Sequence, residues 1–309
     1  MKSIADLIAA TFARCLICWM RIVPARLGEL TAWLLIRGLL LVMPRLDRAA
    51  DRNLELAFPD LPEADRNRIK FTSYHVLARN LLTFARSSTM SAENTAGTVE
   101  GEEDFRTLLD TARAETGSGV LIATMHFGCF ELALQLIALR YHPISALVRE
   151  FGLPRLDKFW TAKREQFGNE LYARRGGYRE TITRLQDGKI VAILCDQNVK
   201  RKHSIFVEFF GLTTSATKTT AMAVLQTEVP LILAAFYEKS PGQYRVISKR
   251  IAGLDDNIEG RDAQLADLTQ RLHSGIESFI REHPEQWFWI HRRWKTCPEG
   301  VPENRYEGV

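Results

Sequence analysis

The hydrophobic pattern of this chain alternates between short apolar runs and longer stretches with helical periodicity. The apolar runs are five to nine residues long and rich in β-branched or aliphatic side chains, as is typical of buried strands. They are GVLIATM (119–125), ISALV (144–148), KIVAILC (189–195), PLILAAFYE (230–238) and QYRVISK (243–249). Amphipathic stretches separate these runs, so the pattern predicts an α/β fold with a mixed central sheet flanked by helices.

The helical stretches show apolar residues at intervals of three and four. They cover about 62–86, 103–115, 129–140, 156–167, 177–188, 216–228 and 262–282. No internal repeat or low-complexity tract interrupts them.

The N-terminal segment differs from the rest in being both apolar and basic. Residues 1–45 contain six basic residues against Asp6 and Glu29, which accounts for the whole formal net charge of +4. The longest apolar run, LTAWLLIRGLLLVM (30–43), is short for a membrane span and contains Arg37. We therefore expect a membrane anchor or interfacial helices over 1–45 and the main α/β domain over 46–309. The alternative is a pair of ordinary amphipathic helices that cover the core.

The bulk composition is that of a folded protein, with 46% hydrophobic and 25% charged residues. Five scattered cysteines argue against a disulfide framework and favour a reducing compartment. Cys15 and Cys18 form a CxxC, but no second pair or histidine cluster accompanies it. We expect neither a metal nor a cofactor.

His126 and Glu131 are the candidate catalytic pair. His126 follows the run GVLIATM, so it is expected at the carboxyl end of a strand, where open α/β sheets gather their catalytic groups. Residues five apart diverge on one helix, so the two side chains meet only if His126 lies in the loop and Glu131 in the first helical turn. In that geometry Glu131 would accept a hydrogen bond from the imidazole, leaving the other nitrogen to act as a base. The alternative is a structural histidine and a glutamate that favours the helix start.

MHFGCFE resembles the HxxxxD/E motif of the glycerolipid acyltransferase superfamily. Further segments are similar, in the same order, to the late acyltransferases of lipid A biosynthesis. They are NLELAFPDLP (53–62), GVLIATMHFGCFELA (119–133), RRGGYRETI (174–182), DQ (196–197), EFFG (208–211) and EQWFWIHRRWK (285–295). The resemblance covers nearly the whole chain.

This resemblance implies a glycerolipid-acyltransferase-like fold and an enzyme at the cytoplasmic face of the inner membrane. It implies transfer of a fatty acyl chain from an acyl carrier protein thioester, or alternatively acyl-CoA, to a hydroxyl of a phosphorylated glycolipid, a lipid A precursor. His126 would be the general base and Glu131 would orient it. No nucleic acid is implied as a partner.

Further site residues are expected on the substrate side. Arg149, Arg174 and Arg175 match phosphate geometry and are expected to bind the acceptor or to stabilise an oxyanion, unless they are solvated surface arginines. Asp196 and Gln197 end an apolar strand and are expected to hold sugar hydroxyls or to brace the arginines. Gly211 closes EFFG, a segment that would line the acyl pocket or simply pack in the core.

The sequence leaves several alternatives open. WFWIHRRWK (287–295) is either an interfacial, acceptor-facing segment or a structural tail. The acceptor is a lipid A precursor, or else a phosphatidylinositol mannoside, an ornithine lipid or another lysolipid. A thioesterase and a non-enzymatic lipid binder are the other possible functions. Cys129, inside the motif, is the nearest alternative nucleophile.

Overall fold

A computed structural model of the chain describes residues 2–251, 253, 255, 257–301 and 304–308. Its helices are α1 (Lys2–Ile22), α2 (Ala25–Val42), α3 (Pro44–Ala57), α4 (Glu63–Arg86), α5 (Glu102–Thr116), α6 (Phe130–Arg140), α7 (Pro154–Arg164), α8 (Gly177–Gln186), α9 (Thr219–Thr227) and α10 (Arg261–Glu282). Its strands are β1 (Val99–Glu100), β2 (Val120–Thr124), β3 (Ser145–Val148), β4 (Glu170–Ala173), β5 (Ile190–Leu194), β6 (Ser204–Phe209), β7 (Leu212–Thr217), β8 (Leu231–Ser240) and β9 (Gln243–Ile251).

Seven strands form one mixed sheet in the order β1-β9-β8-β2-β5-β3-β4. The five strands from β8 to β4 are mutually parallel, whereas β9 returns antiparallel to β8 and β1 pairs in parallel with β9. β6 and β7 form a separate antiparallel hairpin. The predicted α/β class with a mixed sheet flanked by helices is therefore confirmed.

The continuous apolar runs occur because the central strands are buried on both faces. In β2, Leu121 and Ala123 belong to the hydrophobic core on one face of the sheet, and Val120 and Ile122 belong to the core on the other. Successive side chains of a strand point to opposite faces, so a strand covered on both sides has no polar positions to alternate with. β2 lies between β8 and β5, and His126 emerges from this buried centre.

Several elements were not predicted from the sequence. The short strands β1 and β4 carry too few residues to show a period, and α3 was expected to be only a charged boundary segment. The helix predicted over 216–228 was wrong at its start, because β7 extends to Thr217 and α9 begins at Thr219. The small β-branched residues of β7 pair with β6, so tertiary pairing overrides the local pattern.

The N-terminal helices pack against α4 and α7. α2 buries Gly28, Ala32, Ile36 and Leu40, one residue per turn. A Cβ at Gly28 would lie 2.8 Å from Leu82 Cδ1, so a larger residue there would require the Leu82 side chain to move. By length and composition α1 could cross a membrane from Ser3 to Ile22, and α2 with α3 passes the same test only as a pair bent by 94°.

Candidate active site

The candidate site lies at the carboxyl edge of the parallel strands. His126 follows β2 and Asp196 follows β5, its neighbour in the sheet. Arg149 follows β3 and Arg174 follows β4, farther along the same edge. Parallel strands deliver their carboxyl ends to one side, so four loops distant in sequence meet there.

Asp196 holds the imidazole of His126. Its Oδ1 lies 2.8 Å from His126 Nδ1, and its Oδ2 accepts the backbone N–H of His126 at 3.1 Å. The indole Nε1 of Trp287 donates to the same Oδ2 at 2.8 Å. The Asp196 side chain is 2% exposed and that of His126 is 20% exposed, so the carboxylate is enclosed while the imidazole still reaches solvent.

The carboxylate of Asp196 stays ionised in this enclosure. Burial raises its pKa, but the imidazole charge and the hydrogen bonds from His126 and Trp287 lower it further, so that the pKa ends below its ordinary value. An ionised acceptor at Nδ1 favours the tautomer with its proton on that nitrogen, which leaves the Nε2 lone pair free. Gln197 Nε2 lies 3.3 Å from His126 Nε2, where it can donate to that lone pair.

The loop that carries His126 is fixed by its backbone. His126 O accepts the N–H of Phe288 at 3.1 Å, Gly128 N donates to Gln286 O at 2.8 Å, and Cys129 N donates to Phe236 O at 3.0 Å. Gly128 has φ +53°, and a Cβ there would lie 2.4 Å from Phe236 O. Only glycine permits this approach to β8.

Glu131 lies where the sequence predicted, in the first turn of α6, but its partner is different. Its two carboxylate oxygens accept from Arg164 Nε at 2.9 Å and Nη2 at 2.6 Å, and its backbone N–H donates to Asn80 Oδ1 at 3.3 Å. The expected hydrogen bond from the imidazole to Glu131 is therefore wrong. Asp196 arrives from the neighbouring strand and occupies Nδ1, while α7 supplies Arg164 to the first turn of α6.

Cys129 is not available as a nucleophile. Its side chain is buried, and burial raises the pKa of the thiol well above its ordinary value. Within the part of the chain that the structure describes, no group of three or more His, Cys, Asp or Glu side chains is placed to hold a metal ion.

The three predicted arginines are exposed at the same edge. Arg149, Arg174 and Arg175 are surface residues, and no carboxylate among the described residues forms an ion pair with them. Gln197 is part of the site because its amide contacts the imidazole. Gly211, in contrast, lies in the turn of the β6–β7 hairpin with φ +71°, directly after Phe210 at φ +55°. Positive φ at both positions of a two-residue hairpin turn explains the glycine by backbone geometry.

The three tryptophans of the segment 287–295 pack inside the protein, which favours the structural alternative for these side chains, while the acceptor-facing alternative stays a prediction. Trp287, Trp289 and Trp294 are buried, and Arg293 is fully buried with them. Asn53, from NLELAFPDLP, is fully buried too, and its amide donates to His291 O at 2.6 Å and also to Trp289 O. This amide fixes the segment that delivers Trp287 to Asp196.

Sequence reasoning missed Asn80, Arg164 and Trp287 as parts of the site. Asn80 and Arg164 lie inside amphipathic helices with no local signal to distinguish them. Trp287 stands in a motif that the resemblance singled out, but its role depends on the fold. A shallow cleft beside the imidazole is lined by His126, Phe130, Phe288 and residues of α4, including Tyr74 and Leu77. The Phe130 ring lies 5.1 Å from the imidazole centroid.

Comparison with known sequences identifies the chain's relatives. The sequence model of the family described as bacterial lipid A biosynthesis acyltransferase matches residues 10–296, nearly the whole chain. The chain belongs to this family. It is similar to the lipid A biosynthesis lauroyltransferase of Escherichia coli K12, with 27% identity over 85% of this chain and 83% of the relative.

Other members are similar over comparable lengths. A lipid A biosynthesis acyltransferase of Haemophilus influenzae is 24% identical over 81% of this chain and 76% of the relative. The lipid A biosynthesis myristoyltransferase of Escherichia coli K12 is 24% identical over 84% and 81%. The chain is thus an acyltransferase, and the resemblance drawn from its motifs is confirmed.

Proposed function

We propose that this acyltransferase moves a fatty acyl chain from an acyl carrier protein thioester to a hydroxyl of a phosphorylated glycolipid of the lipid A precursor class. The observation that carries the proposal is the pair of His126 and Asp196, which occupies Nδ1 and leaves Nε2 beside a cleft, 3.3 Å from the amide of Gln197. The names of the relatives support the acceptor class.

The proposed reaction is direct transfer through a ternary complex. Nε2 of His126 takes the proton of the acceptor hydroxyl as the oxygen attacks the thioester carbonyl, and the C–O bond forms. The tetrahedral intermediate then expels the thiolate, the C–S bond breaks, and the imidazolium returns the proton to the leaving sulfur. Asp196 stays ionised throughout and stabilises the imidazolium, as the carboxylate of a catalytic triad does.

Glu131 serves a different part of the site in this mechanism. Its two-pronged pair with Arg164 holds a guanidinium beside the first turn of α6. We assign this ion pair the role of fixing the first turn of α6, which holds the Phe130 ring 5.1 Å from the imidazole centroid. Glu131 therefore remains in the proposal as a positioning residue that acts through the first turn of α6.

The arginines at the sheet edge support a phosphorylated acceptor. Arg149, Arg174 and Arg175 are exposed and form no ion pair with the carboxylates that the structure describes, so their guanidinium groups can bind phosphate. The cleft along α4 is lined mainly by apolar side chains and is the proposed entrance for the acyl chain. Gln197 would hold the acceptor hydroxyl next to Nε2.

The proposed location is the cytoplasmic face of the inner membrane. Residues 1–45 are the proposed membrane-facing segment, and residues 46–309 the proposed catalytic domain. The exposed apolar side chains of α1 and α2, such as Ile8, Leu34 and Leu41, support contact with lipid. The acceptor and the acyl product are both lipids, which requires access to a bilayer.

Product analysis by mass spectrometry tests the function. Purified enzyme is incubated with acyl carrier protein thioesters of graded chain length and a phosphorylated glucosamine disaccharide lipid, and the acylated lipid is expected. Acyl-CoA replaces the carrier thioester in a parallel reaction, and phosphatidylinositol mannoside or ornithine lipid replaces the acceptor. Rapid release of fatty acid without any acceptor would indicate a thioesterase instead.

A further inference from the structure

Helix α1 presents two different apolar faces. One face is buried against the protein and consists of Asp6, Ala10, Ala13, Ile17 and Met20, spaced alternately four and three residues apart. The opposite face exposes Ile4, Leu7, Ile8, Phe12, Trp19 and Ile22, each 47% exposed or more. The face that carries Asp6 therefore packs against the protein, and the apolar face points away from it.

Asp6 attaches the beginning of α1 to α7. It is 3% exposed, and its Oδ1 accepts the backbone N–H groups of Arg155 at 3.0 Å and Leu156 at 3.2 Å. These N–H groups belong to the first turn of α7, which has no side-chain cap of its own. Asp6 therefore caps α7 from another helix, and an anion is favourable at that position.

The rest of α1 is attached along its length. The guanidinium of Arg14 lies 5.7 Å from the Phe159 ring centroid of α7. At the other end, Arg86 of α4 donates to Met20 O at 2.9 Å and to Val23 O at 2.6 Å, which satisfies carbonyls at the end of α1. The 21-residue helix, about 30 Å long at 1.5 Å per residue, is thus held from start to end on the catalytic domain.

This attachment is incompatible with α1 crossing a bilayer. A transmembrane α1 would place α7 at membrane depth, together with the exposed cation Lys158 and with Arg155, whose guanidinium lies 3.4 Å from Asp6 Oδ2. Charged side chains facing lipid at that depth are strongly unfavourable. Release of α1 to span the bilayer alone would instead remove the Asp6 carboxylate from its partners and leave the first turn of α7 uncapped.

We infer that α1 lies in the plane of the membrane, with its outer apolar face in the cytoplasmic leaflet and both of its ends on the cytoplasmic side. This inference rests on the membrane location in the proposed function. The partner is an anionic phospholipid surface, because Arg14, Arg21, Arg26 and Arg45 of the N-terminal segment are exposed, whereas Asp6 is buried and Glu29 pairs with Arg79 at 2.9 Å.

Trp19 fits the same surface. It is 47% exposed, and its indole Nε1 donates to Thr31 Oγ1 of α2 at 3.2 Å, so its polar edge is satisfied while its ring faces outward. Tryptophan at the boundary between headgroups and acyl chains is typical of interfacial helices. α2 continues the apolar surface with Leu27, Leu30, Leu34 and Leu41.

Cysteine labelling at the two ends of α1 tests the inference. The full-length chain with Cys15→Ala and Cys18→Ala receives Ser3→Cys or Arg26→Cys, with Glu103→Cys on the catalytic domain as the control. A membrane-impermeant maleimide is applied to spheroplasts and to inverted inner-membrane vesicles. We expect all three sites to react in inverted vesicles and none in spheroplasts. Reaction of Ser3→Cys from the outside of spheroplasts would overturn the inference.

Depth measurements give a second, independent reading. Spin labels at Ile4→Cys, Phe12→Cys and Ile22→Cys are placed in the protein bound to vesicles of phosphatidylethanolamine and phosphatidylglycerol. An in-plane helix gives the same shallow depth at all three positions, whereas a profile that passes through the bilayer centre overturns it. Neither measurement requires acyl transfer, so failure of the proposed function and failure of the in-plane topology are distinguishable.

Asp6→Ala tests the attachment itself. Loss of the carboxylate is expected to uncap α7 and to increase the mobility of a spin label at Phe12, while Asp187→Ala, an exposed aspartate with no such contact, leaves it unchanged. Equal label mobility in Asp6→Ala and the parent protein would contradict the proposal that Asp6 attaches α1 to α7.

Discussion

Charged side chains are paired differently at the two ends of the parallel strands β2, β5, β3 and β4. At the amino edge, Glu170 pairs with Lys189 at 2.8 Å and also with Arg184, and Arg250 of β9 pairs with Glu115 of α5 at the adjoining surface. At the carboxyl edge, Arg149, Arg174 and Arg175 have no ion-pair partner among the described carboxylates. Asp196, a buried carboxylate at this edge, binds the imidazole of His126.

This difference indicates that the cations available to bind a phosphate lie at the carboxyl edge. A guanidinium already paired with a carboxylate has little attraction left for phosphate, whereas an unpaired one has both its charge and its donors free. Three residues of the carboxyl edge, His126, Asp196 and Arg149, have chemically similar counterparts at the amino edge, His142, Asp187 and Lys189. Matched substitutions at the two edges can therefore separate the proposed chemistry from general effects on folding.

The largest difference is expected between the histidines. His126→Ala removes the proposed base and should lower the rate of acyl transfer by roughly 10²- to 10⁴-fold. His142 lies exposed before β3 at the amino edge, and His142→Ala should leave the rate within about twofold. Steady-state transfer rates and thermal unfolding of both variants are compared. Equal loss in the two variants, or a fully active His126→Ala, would contradict the assignment.

The next largest difference is expected between aspartates. Asp196→Asn keeps the shape but removes the charge that stabilises the imidazolium, so we expect a loss of roughly 10²-fold or more in kcat. Asp187→Asn changes an exposed aspartate before β5 and should be neutral. Circular dichroism of Asp196→Asn distinguishes a lost charge from a lost fold. A folded Asp196→Asn with normal kcat would remove Asp196 from the mechanism.

A smaller difference is expected between the cations. Arg149→Ala should raise KM for a phosphorylated acceptor by roughly tenfold, the order expected from losing one charge-assisted hydrogen bond, with little change in kcat. Lys189→Ala removes a cation already paired with Glu170 and should leave KM unchanged. Acceptor titrations measure both. An unchanged KM for Arg149→Ala together with Arg175→Ala would place acceptor phosphates elsewhere.

The smallest effect on activity is expected at Cys129. Cys129→Ala removes a buried thiol whose pKa is raised by burial, so turnover should stay within about threefold. Some loss of thermal stability is expected, because the side chain packs in the core beneath α6. Acyl transfer and unfolding temperature are measured together. Loss of transfer in a stable Cys129→Ala protein would favour a covalent acyl-enzyme.

Much of the fold followed from local pattern, but the partner of the imidazole did not. The central strands were predictable from their continuous apolar runs, because they are buried on both faces. Glu131 lies in the first turn of a helix, as its spacing from His126 predicted. Whether Glu131 or Asp196 reaches the imidazole depends on β5 lying next to β2 and on α7 bringing Arg164 to Glu131. Both are contacts between residues far apart in the sequence, so a local hydrophobic pattern cannot predict them.

The hairpin and the tryptophan segment show the same limit. Phe210 and Gly211 form a turn that the sequence shows only as a conspicuous glycine. Trp287 and Asn53 are 234 positions apart in the numbering, yet both act on the backbone around His126 through the segment 287–291. Because Trp287 and Asn53 are buried, they pack inside the protein and do not contact lipid. The aromatic and basic composition of the segment could not distinguish these two possibilities.

The most direct test of the account is the protonation of the two ring nitrogens of His126, read from nitrogen-15 chemical shifts in selectively labelled protein. We expect a proton on Nδ1 in the parent chain, the same state in Glu131→Gln, and loss of that fixed tautomer in Asp196→Asn. A tautomer that changes with Glu131→Gln and not with Asp196→Asn would contradict it.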